Sequence, residues 1–72
     1  MSIVLSNLHP GQKAIIKEIS AGSYANKRLY EMGFNRGSEL RVVKNNRGPI
    51  IVCISGTKIA LGRGLAQKIL IN

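Results

Sequence analysis

The sequence predicts a small, mainly β protein in which about five short strands and one α-helix form a closed or nearly closed β-barrel. The chain has 72 residues and is 44% hydrophobic, so it can fold, although only around a thin core. Short β-branched segments recur between Gly, Pro and Asn turns, and a single segment has helical periodicity. Closing the sheet would remove edges that otherwise pair with other chains. We expect residues 1–72 to form one domain.

The first part of the chain is predicted to be a turn followed by a strand. Leu5 and Leu8 are expected to pack as a short turn before the Pro-Gly pair at 10–11. Residues 12–19 have the pattern of a strand whose inward side chains are Ala14, Ile16 and Ile19. The last step spans three residues instead of two, which indicates a β-bulge.

One helix is predicted after Ala21 and Gly22. Ser23 is a suitable N-cap, because its hydroxyl can accept a hydrogen bond from a free amide of the first turn. Within residues 24–32, one helical face carries Ala25, Leu29 and Met32. The opposite face carries Asn26, Lys27 and Tyr30.

The stretch "MGFNRG" predicts how this helix ends. Gly33 can take the positive φ of the first position past a helix, which places Phe34 and Leu29 as the apolar pair of a Schellman motif. Gly37 is expected to adopt a positive φ in the next turn. These glycines therefore indicate a helix end and a strand start, and no phosphate-binding loop is predicted.

The second half of the chain is predicted to be mostly strands. Leu40 and Val42 are expected to point inward, and residues 50–55 are apolar on both faces, which is typical of a central strand. A tight turn at Gly56 should join two strands as a hairpin, and RGLAQ should form one helical turn. The predicted strands are ELRVVK (39–44), IIVCIS (50–55), KIALG (58–62) and KILI (68–71).

The sequence offers little for catalysis or metal binding. The three carboxylates have no spacing that would bring two of them together, and His9 stands alone beside a proline. Cys53, the single cysteine, excludes an internal disulfide and is expected to be a small buried hydrophobic residue. We therefore expect a protein that is not an enzyme and has no catalytic residue, metal site or cofactor.

The charge is strongly positive, with eleven Lys and Arg against three Glu, a net charge of +8. This charge indicates three possible classes of partner: nucleic acid, anionic lipid headgroups and an acidic protein. Aromatic residues on which bases could stack are few, and none lies on a predicted strand, so a nucleic-acid-binding barrel remains only an alternative. No apolar run is long enough to insert into a bilayer, and we expect a cytoplasmic protein.

Four stretches resemble the ferrous iron transport protein A (FeoA) family and together span nearly the whole chain. They are "LSNLHPGQKAIIKEI", "RLYEMGFNRGSELRVV", "GPIIVCISGTKIAL" and "AQKILI", in that order. The resemblance implies an SH3-like barrel with a helix inserted after the first strand. It also implies an adaptor whose partner is the membrane ferrous iron permease with its cytoplasmic GTP-binding domain. Iron would then be the cargo of the pathway and not a cofactor of this chain.

The expected contact with that partner is the exposed helix face with neighbouring loops. Its residues are Tyr24, Lys27, Arg28, Tyr30, Glu31, Arg36 and Arg47. One departure from the family lies elsewhere: members often have an arginine directly after the "AL" of the fourth strand, whereas here Gly62 intervenes before Arg63. Self-association stays open, because an uncovered strand edge can pair with a second copy.

Overall fold

The computed structural model describes residues 3–72. This part of the chain is mainly β, as predicted, with six strands where five were expected. The added strand, β1, has only two residues, too few to produce an alternation signal. The elements are β1 (Ile3–Val4), a 3₁₀ turn (Leu5–Asn7), β2 (Lys13–Ile19), α1 (Ser23–Glu31), β3 (Glu39–Asn45), β4 (Ile50–Ile54), β5 (Thr57–Leu61), α2 (Arg63–Ala66) and β6 (Ile69–Ile71).

The six strands form one antiparallel sheet in the order β1-β6-β2-β3-β4-β5. β2 joins its two halves: residues 13–15 pair with β3, and residues 16–19 pair with β6. The predicted bulge is confirmed, because the register with β6 shifts between Ile16 and Glu18. No pairing joins β1 to β5 within residues 3–72, so the sheet curls around the core but stays open there.

The core lies inside this curl and is entirely apolar in the described chain. The predicted inward residues of β2 and β3 lie in it, and Ile19 packs against it half-buried. The 3₁₀ turn contributes Leu5, which confirms that the N-terminal turn packs inward. The buried residues are Leu5, Leu8, Ala14, Ile16, Leu29, Phe34, Leu40, Val42, Ile50, Val52, Ile54, Leu61, Ala66, Ile69 and Ile71.

The start of α1 differs from the prediction. Gly22, with φ 86°, occupies the N-cap position, and Ser23 is the first helical residue with no side-chain cap. Asn26, expected on the outer face, is half-buried and holds the preceding turn: the Ala21 amide donates to its Oδ1 (3.1 Å), and its Nδ2 donates to the Ile19 carbonyl (3.2 Å). Because Gly22 can adopt this positive φ, the helix starts one residue earlier than predicted. The Asn26 side chain then holds the segment that leads into the helix.

The end of α1 is the predicted Schellman motif. Gly33 has φ 100°, its amide donates to the Tyr30 carbonyl (3.0 Å), and the Phe34 amide donates to the Leu29 carbonyl (2.9 Å). Leu29 and Phe34 are both buried. The inward prediction for Met32 is wrong: it is 37% exposed, because it is the cap residue and Phe34 enters the core instead.

β4 and β5 form the predicted hairpin. Ser55 and Gly56 both have positive φ (53° and 76°), as a two-residue type I′ turn requires. β4 pairs on both sides, with β3 and β5, which confirms its central position. Cys53 is half-buried, not buried as expected, because Val52 and Ile54 take the inward positions and alternation turns Cys53 to the outer face.

Candidate contact surface

α1 presents four of the seven predicted contact residues as a continuous stripe. They follow one another at i, i+3, i+4 and i+7, the spacing that keeps side chains on one helical face. All four are exposed, and Tyr24 is 65% exposed although it is large and aromatic. We call this surface the α1 stripe; it lines a shallow depression and consists of Tyr24, Lys27, Arg28 and Glu31.

Tyr30 and Arg36 lie together at a second depression, on another side of the helix. Tyr30 is 67% exposed. The Arg36 guanidinium lies 3.8 Å from a carboxylate oxygen of Glu18 on β2, and both side chains are well exposed, so solvent screens the pair. Ile19 and Phe34 contribute to the wall of this depression. Glu18 is a neighbour that sequence reasoning did not place here.

Arg47 lies in the loop between β3 and β4 and lines neither depression. Its carbonyl accepts a hydrogen bond from the Nε of Arg63 (3.4 Å), while its own side chain is in an exposed position. The predicted contact set is therefore distributed over three places: the α1 stripe, the Tyr30–Arg36 depression and this loop.

An apolar groove borders the α1 stripe, and the sequence did not predict it. Arg28 belongs to both surfaces, and Met32, assigned inward from helical spacing, lines the groove instead. The groove lies where α1 runs beside the end of β5 and the start of α2. Its lining residues are Ala25, Arg28, Leu29, Met32, Ala60, Leu61, Gly62 and Leu65. Among them Arg28 carries the one charge.

Arg63 has a structural partner set that sequence reasoning also missed. Its Nη2 donates to the Asn45 Oδ1 (2.5 Å) and to the Asn46 carbonyl, and its Nε donates to the Arg47 carbonyl. Asn45 extends the network to the N-terminal turn, where its Nδ2 donates to the carbonyls of Ser6 (3.1 Å) and Leu8 (2.5 Å). Arg63 and Asn45 together therefore connect α2, the β3–β4 loop and the 3₁₀ turn by hydrogen bonds.

The titratable residues considered for chemistry lie on separate elements. Glu18, Glu31 and Glu39 belong to β2, α1 and β3 respectively. The His9 amide donates to the Gln12 Oε1 (2.6 Å) in an exposed turn. Within residues 3–72 there is no group of three or more His, Cys, Asp or Glu positioned to hold a metal ion. Nor does any helix of the described chain have the length and apolar character needed to cross a membrane.

Comparison with known proteins gives consistent matches. A family model described as the FeoA domain matches residues 3–72. A protein of Methanocaldococcus jannaschii named for Fe(2+) transport (transport protein A) is 49% identical over 62 residues, which are 86% of this chain and 76% of that protein.

Solved structures agree in fold. A crystal structure of an iron uptake regulatory protein (FeoA) has a TM-score of 0.92 and 34% identity, and the match covers 100% of this chain and 97% of that one. The FeoA of Stenotrophomonas maltophilia complexed with zinc, described as a prokaryotic SH3 domain protein, has a TM-score of 0.85 and 26% identity, covering 97% and 89%. The open antiparallel barrel is therefore SH3-like, and the chain belongs to the FeoA domain family.

Proposed function

We propose that this chain is a cytoplasmic, single-domain accessory protein of ferrous iron transport. It acts by contact with the membrane iron permease and its cytoplasmic GTP-binding domain. Membership of the FeoA family and the similarity to a protein named for Fe(2+) transport support the pathway. Iron is the cargo of the partner in this proposal, and the chain works by binding, without catalysis.

The observation that carries the proposal is the α1 stripe with its adjoining groove. Tyr and Arg are enriched at protein interfaces, where an aromatic or guanidinium anchor beside an apolar pocket supplies much of the binding energy. Here Tyr24 and Arg28 are exposed on one helical face, and Arg28 borders a groove that Met32 and Leu65 line. We therefore assign the permease contact to the α1 stripe and this groove.

A titration of the isolated GTP-binding domain with the purified chain tests the proposal. The double variant Tyr24→Ala with Arg28→Ala removes two anchors of the α1 stripe. We expect the binding free energy to weaken by about 1.4 kcal/mol or more, which is at least a tenfold loss of affinity. The matched control is Lys13→Ala with Lys58→Ala, which changes two exposed residues on β2 and β5. It should bind as the wild type does.

Two outcomes would overturn the proposal. If the wild-type chain shows no saturable binding to the domain, the partner is wrong. If the α1-stripe variant binds unchanged, or the control loses as much, the contact lies elsewhere. Duplex DNA serves as a parallel ligand: counterion release makes its binding fall steeply with salt, whereas the proposed protein contact should survive physiological salt.

A further inference from the structure

The strand register places three cations in one line across the outer face of the sheet. Lys13 on β2 is directly opposite Arg41 on β3, Arg41 is opposite Cys53 on β4, and Cys53 is opposite Lys58 on β5. Directly opposed residues of antiparallel strands are close neighbours, with Cβ atoms about 5 Å apart. We call Lys13, Arg41 and Lys58 the basic row.

The basic row faces away from the core. Ala14 beside Lys13 and Leu40 beside Arg41 are buried, so alternation turns these two cations outward. Cys53 is also turned outward, between buried Val52 and Ile54, and Lys58 is directly opposite it. All three cations are exposed, while Cys53 between them is half-buried.

Cations outnumber carboxylates on this face within residues 3–72. None of the three row residues forms an ion pair in residues 3–72. Lys44 adds a fourth cation on the same face, opposite Ile51. Glu39, opposite Ile15, is the one carboxylate among the paired positions of β2–β3, β3–β4 and β4–β5, and it lines the same depression as Lys13 and Arg41. Like charges directly opposed on neighbouring strands oppose folding, so the Lys13–Arg41 pair is unfavourable unless an anionic partner covers it.

The residues of this face indicate which kind of anionic partner it can bind. β2, β3, β4 and β5 contain no aromatic residue, so the face has no platform on which the bases of single-stranded nucleic acid could stack. With Lys44, the four cations lie on β2, β3 and β5 and are spread in two dimensions over the face, whereas an extended peptide would offer its charges along one line. An anionic lipid surface has this planar arrangement.

We propose that the basic row, with Lys44, docks this chain on the anionic cytoplasmic surface of the membrane. The inference rests on the proposed function, which places the partner in that membrane. Lipid contact through the sheet leaves the α1 stripe for the permease, and the two contacts together raise the effective concentration of the chain at its partner. The contact is electrostatic and superficial, and no segment enters the bilayer.

Co-sedimentation with vesicles tests this docking. The vesicles are phosphatidylcholine alone or phosphatidylcholine with phosphatidylglycerol, at low and at physiological salt. The row variant carries Lys13→Gln, Arg41→Gln and Lys58→Gln. A control variant of equal net charge carries Lys27→Gln, Arg28→Gln and Arg47→Gln, also at exposed positions. The melting temperatures of both variants verify that they remain folded.

We expect the wild type and the control to bind the anionic vesicles and not the neutral ones, with weaker binding as salt is added. The row variant should lose on the order of 10- to 100-fold in affinity, because each surface cation contributes about one kcal/mol at an anionic leaflet. No binding by the wild type at physiological salt, or an equal loss in both variants, would overturn the proposal. So would row-dependent binding to duplex DNA that is stronger than binding to vesicles.

Binding of the wild type and the row variant to the isolated GTP-binding domain tests the proposed function separately from lipid docking. Without lipid, the row variant should bind the isolated GTP-binding domain as the wild type does. If the wild type fails to bind that domain, the proposed function fails, and the vesicle result still decides whether the row recognises lipid. If the row variant alone fails to bind the domain, the row is a protein contact, and lipid docking is overturned.

Discussion

Gly33 ends α1 and lies close to the turn between β4 and β5. Its φ of 100° is unfavourable for any residue with a Cβ, and an added Cβ would lie 3.1 Å from the Oγ of Ser55. Both the conformation and the contact oppose a larger side chain. The motif around it was predictable because it depends on local spacing: glycine at the first position past the helix and apolar residues on either side.

Gly33→Val should lower the stability of the fold by about 1–3 kcal/mol, because a β-branched residue resists a positive φ. For a domain of this size each kcal/mol corresponds to a fall in melting temperature of about 4–8 °C. Gly48→Val is the matched control, since Gly48 has no positive φ and an added Cβ meets nothing within 4 Å. An unchanged melting temperature for Gly33→Val would disprove the role assigned to this glycine.

Arg63 and Asn45 are expected to stabilise the fold as one unit. Arg63→Ala should cost about 1–3 kcal/mol, because the Asn45 side chain and two loop carbonyls lose a charged donor. Arg63→Lys should recover only part of this, since a single ammonium cannot reproduce the planar guanidinium. Urea unfolding of Arg63→Ala, Asn45→Ala and the double variant measures the coupling. Strictly additive losses would show that the two residues act independently.

At the scale of elements, the local sequence pattern predicted most of the strands, but it did not predict the surfaces that form where elements meet. Alternation predicted which residues of β2 and β3 point inward, and Gly56 predicted the β4–β5 hairpin. β1 was missed because its pairing with β6 joins the two ends of the described chain, and two residues have no periodicity. Met32 was assigned to the core from helical spacing, but α1 ends before it, so the neighbouring groove was missed as well.

The opposed cations of β2 and β3 give a prediction for strand pairing. Lys13→Glu should raise stability at low salt by about 0.5–1 kcal/mol, because it replaces a like-charge pair with an ion pair opposite Arg41. The gain should shrink as salt is added. Lys44→Glu changes the net charge equally but stands opposite Ile51, so it controls for general relief of repulsion. A gain for Lys13→Glu no larger than for Lys44→Glu would contradict the cross-strand explanation.

At the scale of the whole molecule, composition predicted a folded domain with a strong positive charge, while the arrangement of that charge on the surface required the structure. A net charge of +8 is visible in the sequence, but the cations are scattered along the chain, and only strand register aligns three of them. The predicted contact residues show the reverse: they were expected to form one surface, and the structure separates them. They divide between two depressions on α1 and the β3–β4 loop, because helical rotation separates Tyr30 from the α1 stripe.

The two surfaces give the molecule two proposed partners with different physical signatures. The α1 stripe and its groove combine aromatic, cationic and apolar groups, so a contact there should tolerate physiological salt. The basic row offers charge without an apolar anchor, so its binding should weaken steadily as salt rises. The salt dependence of each binding reaction therefore identifies which surface carries it.

The most direct test of the central claim is a map of the contact in solution. Backbone amide NMR signals of the ¹⁵N-labelled chain would be followed while the unlabelled GTP-binding domain of the permease is added without lipid. We predict that shifts and broadening concentrate in α1 and at the junction of β5 with α2, around Tyr24, Arg28, Met32 and Leu65. Changes confined to the outer face of β2, β3 and β4, or no saturable change at all, would contradict the assignment of α1 as the contact.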